Sequence, residues 1–390
     1  MAIDTMKTNR IEVVDALRGL AVFGILMIHN LEHNGLYFFP RFYPSLTDID
    51  KIVWDSFDWL FAGKAYAMFA LLFGFSYWIQ YSNQVKRGED FAGRFAWRMV
   101  LLFGFGWINA TFFPGDVLMI YAVLGIFLIP MRRWGNRPLL IAMVIFLLQP
   151  IELAKVIYSL YNPEYVQTWW YRSFYAPLTE VLKSGNIIDT FKANWTDGVA
   201  YCVTWTLQVG RFSQILGLFT MGFLLGKNDK FSYSDSNIRF WKRILLFSIV
   251  YVAAFTAFDN FKYTLPTTDE NWFKQLNTLI NMWKNLGTMA LIVSSFILLY
   301  HTKRGESVLS YLAPYGRMSL TNYITQSFIG FWIYFEAGFG LWKLFGATFS
   351  AMTGLLIFWF QSEFCRWWFT RHTHGPLEGV WKRFTWIKIK

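Results

Sequence analysis

Ten long apolar stretches run through the sequence and limit the folds open to it. They lie at about 14–31, 59–81, 99–113, 117–131, 139–158, 200–226, 244–258, 276–300, 318–335 and 343–365. A helix needs about 20 mostly apolar residues to cross a bilayer, and only helices and closed barrels satisfy their backbone polar groups within lipid. The pattern predicts an all-α integral membrane protein, a bundle of about ten transmembrane helices.

The composition excludes most other classes of protein. Apolar residues make up 55% of the chain and charged residues only 16%, whereas a soluble domain carries about 25% charged residues. A soluble enzyme, a disordered chain, a disulfide scaffold and a coiled coil are therefore excluded. The net charge of +11 does not by itself indicate nucleic acid, and we expect membrane lipids rather than nucleic acid as partners.

The charges between the apolar stretches alternate. The segments 1–14, 82–98, 131–138, 227–243, 302–317 and 366–390 contain 23 of the 36 lysines and arginines, and the alternate segments contain 8. Cytoplasmic loops of membrane proteins are enriched in lysine and arginine. The alternation therefore predicts that both termini are cytoplasmic.

The chain reads as a single polytopic domain over 1–390. The long connection 159–199 mixes tryptophan, tyrosine and charge and is interpreted as an ordered extracytoplasmic loop with interfacial aromatic residues. Residues 366–390 are expected to form a cytoplasmic tail. Neither an internal repeat nor a pair of Gly/Pro-broken helices in matching halves is visible.

The first span carries the most informative polar residues. Asp15 and Arg18 lie three positions apart, where they can pair on one helix face. His29 lies eleven positions after Arg18, which places both on one side of a helix and separates them by about 16 Å along its axis. Arginine suits phosphate groups and histidine suits proton transfer. A cavity crossing the membrane is one interpretation; a structural ion pair and an interfacial histidine bonded to a neighbouring helix are the alternatives.

Further charges lie within spans, where each costs about 2.5–3.5 kcal/mol at the centre. Lys64 lies about a turn below the outer surface, at a depth similar to that of His29, and is expected to line the same cavity. Arg211 lies near the middle of its span and is expected to bind substrate or line a cavity. Lys343 and Glu363 lie near span ends, where snorkelling explains them. His29 and His33 do not form a larger cluster, so no metal is predicted.

Four segments resemble one known family. They are Arg10-Ile-Glu-x-x-Asp15-x-Leu-Arg18-Gly, Gly63-Lys64 with Leu71-Leu-Phe-Gly74, Gly316-Arg317-Met-Ser-Leu-Thr-Asn322-Tyr323-x-x-Gln326-Ser327, and Gly375-Pro376-Leu-Glu378-x-x-Trp381-Lys-Arg383. Together they resemble the YeiB-like membrane proteins, which carry domain of unknown function 418. That family is similar to the transmembrane acyltransferases, among them the acyltransferase-3 proteins and the lysosomal heparan glucosaminide N-acetyltransferase.

The resemblance implies an activity. Acyltransferase-3 proteins have arginine, ten residues and then histidine in their first span, as Arg18 and His29 do here, with the arginine on the acyl-CoA side and the histidine as the base. YeiB-like proteins more often have asparagine at the position of His29. The resemblance also implies a multi-pass protein of the bacterial plasma (inner) membrane.

We therefore expect an acyltransferase that moves an acyl group, acetyl in the first place, from cytoplasmic acyl-CoA to an unidentified extracytoplasmic acceptor such as a glycan. His29 is the expected base, and Asn30 or Lys64 would stabilise the oxyanion. The expected substrate-binding residues share polar side chains near the spans, and they are Asp15, Arg18, Arg98, Arg211, Arg317, Asn322 and Gln326.

Two other functions remain open. One is a transporter or exporter of an anionic or amphipathic solute, which would use the same basic cavity; the missing broken helix pair weakens it. The other is a lipid-binding or scaffold protein in which Arg18 and His29 only pack. A homodimer also remains open.

Overall fold

The computed structural model describes residues 11–37, 47–264 and 270–387, and these residues contain helices and turns without a strand. The prediction of an all-α protein is thereby confirmed for the part of the chain described; Arg10 lies outside it. The α-helices are α1 Glu12–Leu31, α2 Thr47–Phe61, α3 Ala65–Val85, α4 Ala92–Ala110, α5 Leu118–Gly125, α6 Leu128–Met131, α7 Asn136–Leu147, α8 Pro150–Tyr161, α9 Tyr171–Ser184, α10 Ile187–Ala193, α11 Val199–Gln208, α12 Arg211–Lys227, α13 Asp235–Phe261, α14 Glu270–Tyr300, α15 Lys303–Leu309, α16 Leu312–Arg317, α17 Ser319–Tyr334, α18 Ala347–Phe369 and α19 Pro376–Thr385.

Helix α1 lies at the centre of the bundle. It packs against α2, α3, α16, α17 and α18, and most of its residues are buried. Its crossing with α16 is close because a glycine stands on each side: a side chain on Gly19 would collide with the backbone of Leu312, and one on Gly316 with the backbone of Asp15. The backbones therefore touch beside the Asp15–Arg18 pair and fix its position.

Helices α3 and α12 cross in the same manner. A side chain on Gly74 would collide with the backbone of Phe219, and one on Gly222 with the backbone of Leu71. Small residues of this kind allow helices in apolar surroundings to approach closely and gain van der Waals contact. This second crossing holds α3 against the bundle next to α1.

Two of the predicted spans are broken. Helices α7 and α8 meet at 42°, and the pair formed by Ile187–Gln208 and α12 meets at 74°. Gln149 and Gly210 have positive φ at the two breaks, 57° and 79°. Our expectation concerned broken helices in matching halves of the chain, whereas these two bent pairs follow one another between residues 136 and 227. Proline after Gln149, and the glycine at 210, were the local signals for these breaks.

The number of spans stays a prediction. Three helical runs of the described residues are long and apolar enough to cross a membrane, Thr47–Val85, Asp235–Phe261 and Glu270–Tyr300, and the two bent pairs would make five. Several other predicted spans are divided among shorter helices, as 117–131 is between α5 and α6. The predicted loop 159–199 contains α9, α10 and a π-helical turn at Asn194–Gly198, and the predicted tail contains α19.

The outer surface of the bundle is strongly apolar. Helix α13 is almost unburied along its apolar window, with Leu246 64%, Phe247 65% and Val250 61% exposed. Contiguous apolar surface of this kind marks a protein or membrane contact.

Candidate functional site

Two groups of polar and aromatic residues lie along α1, one near each end, and the first surrounds a cavity. Arg18 lies near its first end, where its guanidinium donates to Asp15 Oδ1 and to Ser76 Oγ, each at 2.9 Å. Asp15 is only 5% exposed, so the pair is held within the bundle. The side chain of Arg18 faces a cavity between α1, α3 and α4.

That cavity gathers three of the predicted arginines. It has a volume of about 190 Å³ and adjoins a second of about 450 Å³, with which it shares Gln80, Arg98, Arg317, Glu378 and Trp381. We call the two together the arginine chamber. Its remaining basic lining residues are Arg18, Arg87 and Lys382. Arg18, Arg98 and Arg317 come from three separate parts of the chain. From the sequence we predicted each one separately as a substrate-binding residue, and the fold brings them to one cavity.

The guanidinium groups of Arg98 and Arg317 stack on aromatic rings. The guanidinium of Arg98 lies 4.1 Å from the ring centre of Trp381 and donates to Thr385 Oγ1 at 3.2 Å. The guanidinium of Arg317 lies 3.8 Å from the ring centre of Phe369. Stacking leaves in-plane donors of a guanidinium available for oxygen atoms. The chamber therefore offers planar cations suited to phosphate.

Glu378 fastens α19 over this chamber. Its carboxylate accepts hydrogen bonds from the backbone N–H groups of Leu320 and Thr321, at 2.8 and 3.1 Å, and from Thr321 Oγ1 at 2.6 Å. A carboxylate at the first turn of α17 is favoured by the helix dipole. Burial raises the pKa of Glu378, and these hydrogen bonds partly offset that rise. From the sequence we assigned no role to Glu378 beyond its place in a motif of the resembled family.

His29 lies further along α1, beyond the chamber. Its ring centre is 4.2 Å from that of Phe113 and 6.1 Å from that of Tyr323, and the amide of Gln326 is 3.5 Å from its Nδ1. Tyr323 also lines the arginine chamber. This tyrosine therefore joins the surroundings of His29 to the chamber, and Gln326 is a predicted site residue whose side chain contacts the imidazole.

Asn30 and Asn322 are held within the packed core. Asn30 donates to Leu26 O at 2.8 Å and accepts from the Tyr334 hydroxyl at 2.9 Å. Asn322 donates to Tyr315 O at 3.0 Å. Neither lines the arginine chamber, so the structure does not bring them to Arg18.

Lys64 lies away from the chamber as well. It is 7% exposed and donates to Asp58 O at 3.2 Å just before α3 begins. A separate ion pair joins Lys284 to Asp259 at 2.5 Å and ties α14 to α13. The structure thus places Lys64 in a loop contact, while its predicted catalytic role stays untested.

Arg211 defines the second group. Its guanidinium lies between two rings, 4.2 Å from the centre of Tyr66 and 4.0 Å from that of Trp205. Together with their neighbours these residues form a group that we call the tyrosine recess, made of Glu32, Tyr37, Tyr66, Tyr175, Tyr201, Trp205 and Arg211. Its tyrosines form a row, with ring centres of Tyr37 and Tyr175 6.1 Å apart and those of Tyr175 and Tyr201 5.2 Å apart.

Glu32 is the acidic residue of the tyrosine recess. Burial raises its pKa to about 7, although a hydrogen bond from Tyr37 and the charge of Arg211 act in the opposite direction. Yet Glu32 keeps part of its accessible surface, and Tyr37 is 41% exposed. Glu32 is therefore strongly desolvated while it can still be reached from outside the protein. Glu32 follows His29 by one helical turn, so the recess adjoins the imidazole.

Asp116 is a buried carboxylate that the sequence reasoning missed. It is 1% exposed and accepts from Asn109 Nδ2 at 2.9 Å and from the backbone N–H of Met119 at 3.1 Å. The next residue, Val117, donates its N–H to the Tyr323 hydroxyl at 3.4 Å. An aspartate between two apolar stretches was the available signal. It braces the loop that carries Phe113 against His29.

Comparison with known proteins shows which sequences this chain is similar to. Residues 225–388 match the family described as "Protein of unknown function (DUF418)". The chain is 27% identical to the uncharacterized protein YxaH of Bacillus subtilis, with 98% of this chain and 96% of that protein covered. It is also 23% identical to the uncharacterized protein YeiB of Escherichia coli, with 95% of each covered.

The chain is thus similar to the DUF418 family over residues 225–388 and to the two YeiB-like relatives over nearly its whole length. The resemblance deduced from its sequence motifs is thereby confirmed. No solved structure matches the chain.

Proposed function

We propose that this protein is a membrane-embedded acyltransferase that moves an acyl group, such as acetyl, from acyl-CoA to an acceptor hydroxyl or amine. One observation carries the proposal: Arg18, Arg98 and Arg317 face one cavity, and His29 lies beyond it on the helix that carries Arg18. A polyanionic donor and a proton acceptor would thereby be aligned along α1.

The same proposal places the bundle in the bacterial inner membrane with ten spans and both termini in the cytoplasm. The apolar surface of α13 and the alternating loop charges support this arrangement. The arginine chamber, which α19 of the C-terminal tail covers, would then open to the cytoplasm, where acyl-CoA is made. The tyrosine recess would face the opposite side.

The arginines would bind the phosphates of coenzyme A. A guanidinium offers paired N–H donors whose spacing matches two phosphate oxygens. Arg98 and Arg317 would engage the nucleotide end at the wider cavity, and Arg18 would bind the phosphate next to the pantetheine arm where the chamber narrows. The acyl thioester would extend past Tyr323 towards His29.

His29 would act as the general base. It takes a proton from the acceptor hydroxyl as the acceptor oxygen forms a bond to the thioester carbonyl carbon. The tetrahedral intermediate then collapses, the carbon–sulfur bond breaks, and the proton passes from the imidazolium to the departing thiolate of coenzyme A. The products are the acylated acceptor and free coenzyme A.

Gln326 would position the base. Its Nε2 is placed 3.5 Å from His29 Nδ1, while its Oε1 is buried without a hydrogen-bond partner in the described part of the chain. Amide oxygen and nitrogen are assigned from the surrounding network. Turning the amide over lets Oε1 accept from Nδ1–H, which leaves the lone pair on Nε2 of His29 for the acceptor.

The decisive experiment separates binding from transfer in protein purified in nanodiscs. His29→Ala should abolish release of free thiol from acetyl-CoA in the presence of acceptor, a loss of at least about 100-fold for a general base. Calorimetric binding of acetyl-CoA should stay within twofold of wild type. Transfer that persists in His29→Ala would refute the role of the base, and an absence of acetyl-CoA binding by the wild type would refute the enzyme.

A transporter is the second candidate, and the broken helices favour it. A side chain on Gly210 would lie 2.8 Å from Gln149 Oε1, so the breaks in the two bent pairs meet. Discontinuous helices of this kind surround solute sites in transporters. Uptake of coenzyme A or another organic anion into proteoliposomes without an acyl donor would favour transport over acyl transfer.

A further inference from the structure

The tyrosine recess contains a cation that its neighbours do not neutralise directly. The Arg211 guanidinium is stacked by Tyr66 and Trp205, and no side-chain hydrogen bond or ion pair joins it to another residue of the described ranges. Its Nε is buried without a partner. Stacking occupies the two faces of the guanidinium and leaves its in-plane donors unused, the donors that pair with an oxyanion.

A second polar group near Arg211 is also unpaired. Tyr66 is 8% exposed, and its buried hydroxyl has no hydrogen-bond partner among the residues described. A buried polar group without a partner is costly, so a site that contains one is suited to a polar ligand. The hydroxyl can donate to an acidic oxygen or accept from a sugar hydroxyl.

The backbone adds to the positive potential. Arg211 begins α12, a helix of 17 residues, directly after the break at Gly210. The first N–H groups of a helix and its dipole favour an anion. Because Arg211 is the first residue of α12, its guanidinium starts beside this helix end, and the 74° break separates that end from the preceding helix.

The remaining walls suit a sugar ring. Tyr37, Tyr175 and Tyr201 pack in a row of aromatic rings, and the outermost ring, Tyr37, is 41% exposed. The Tyr175 hydroxyl donates to Leu36 O at 2.9 Å and can still accept. Apolar walls with few polar groups are common in ligand sites. Glu32 supplies carboxylate oxygens that can accept from sugar hydroxyls. It stands one helical turn from His29, so a sugar held here would have a hydroxyl near the imidazole.

We infer that the tyrosine recess is a binding site for an acidic sugar, in which Arg211 binds a carboxylate or phosphate of the sugar and the tyrosines contact its ring. One part of this inference rests on the proposed function, namely that the acidic sugar is the acceptor of the acyl group. The existence of the binding site is independent of acyl transfer.

The test measures binding without any acyl donor. Protein in nanodiscs is titrated with glucuronate, glucose 1-phosphate and glucose, and tryptophan fluorescence or calorimetry reports binding. We expect at least one anionic probe to bind ten times more tightly than glucose. Tighter binding of glucuronate would identify the acidic group of the ligand as a carboxylate, and tighter binding of glucose 1-phosphate would identify it as a phosphate. Arg211→Met should remove the preference, and Arg172→Gln, which removes an exposed arginine of α9, should keep it.

Tyr66→Phe provides a second variant in case Arg211→Met does not fold. It keeps the ring under the guanidinium and removes only the hydroxyl, so the anionic probe should bind three to ten times more weakly. Equal binding of all three probes by the wild type, or an unchanged preference in both variants, overturns the inference.

The two proposals fail separately. If the protein prefers the anionic probes through Arg211 but transfers no acetyl group, the acidic-sugar site is supported and the acyltransferase activity is refuted. Acetyl transfer to a neutral sugar that is unaffected by Arg211→Met supports the enzyme and overturns the recess.

Discussion

The arginine chamber and the tyrosine recess lie towards opposite ends of α1 and carry their positive charge in different ways. The chamber collects Arg18, Arg98 and Arg317 around one cavity, whereas the recess holds the single cation Arg211 within aromatic rings and beside Glu32. Several cations suit a ligand with several phosphates. One cation with a carboxylate and tyrosines suits a small, singly charged, hydroxyl-rich ligand.

The two regions also differ in how they are built. Close glycine crossings fix α1 against α16 beside the chamber, and α19 covers it through Glu378. The recess depends on the break at Gly210 and on the turn that follows α1, where His33 and Asn34 have positive φ. We therefore expect the chamber to be the more rigid of the two, and the recess to be the more variable in what it accepts.

The largest expected effect is on acetyl-CoA affinity, and it distinguishes the two cationic sites when the charge of either arginine is removed. Arg18→Gln should weaken acetyl-CoA binding by about 10- to 100-fold, since hydrogen bonds to a charged group contribute about 1.5–3 kcal/mol and 1.4 kcal/mol is tenfold. Arg211→Gln should leave this affinity unchanged. Calorimetry of both variants gives the answer.

Arg133→Gln is the matched control for that comparison, because it removes an exposed arginine. Equal losses at Arg18 and Arg211 would mean that a general positive potential, rather than the chamber, attracts acetyl-CoA.

The next effect concerns how the chamber is closed. Glu378→Gln should lower the free energy of unfolding by about 1 kcal/mol, because an uncharged amide replaces a carboxylate that accepts three hydrogen bonds at the start of α17. Thermal unfolding in detergent measures the change, with the exposed Glu89→Gln as control. A melting temperature equal to that of the control would show that α19 is held by its apolar contacts alone.

The smallest expected effect is a pH dependence confined to the recess. Burial raises the pKa of Glu32 from 4.5 to about 7, so the carboxylate becomes charged in the folded protein as the pH rises through 7. Glucuronate should therefore bind several times more weakly at pH 8 than at pH 6, since the ionised Glu32 offsets the charge of Arg211. Tyr37, Asp58, Tyr175 and Tyr201 also face this group.

Glu32→Gln should remove most of that pH dependence and leave acetyl-CoA binding as it was. The sign also applies to stability: ionisation of Glu32 is costly in the fold, so its favourable contribution is complete below pH 4.5 and is lost as the pH rises towards 7. A pH profile that is the same with and without Glu32 would assign the titration to another group.

The sequence anticipated the site residues unevenly. Helical periodicity alone put Arg18 and His29 on one side of α1, because positions eleven apart repeat the same direction. It could not bring Arg98 and Arg317 to Arg18, since contacts between distant segments depend on how helices pack. Lys64 illustrates the limit: its depth matched that of His29, but the turn before α3 directs its ammonium to the Asp58 carbonyl.

The broken helices show a second limit. Apolar composition through 139–158 and 200–226 indicated continuous spans, while the structure bends both. Gly210 is a weak signal by itself because glycine is common in membrane helices. What makes the break informative is its contact with the other break, and this contact exists only in three dimensions.

The sequence by itself determined the class of the protein: an apolar chain poor in charge forms helices that satisfy their own backbone polar groups. Its motifs also showed the resemblance to the YeiB-like DUF418 proteins. Only the tertiary structure decided which polar groups share a cavity, because the direction of each side chain depends on helix crossings, glycine contacts and bends. It gathered three arginines at one end of α1 and left Arg211 among tyrosines at the other.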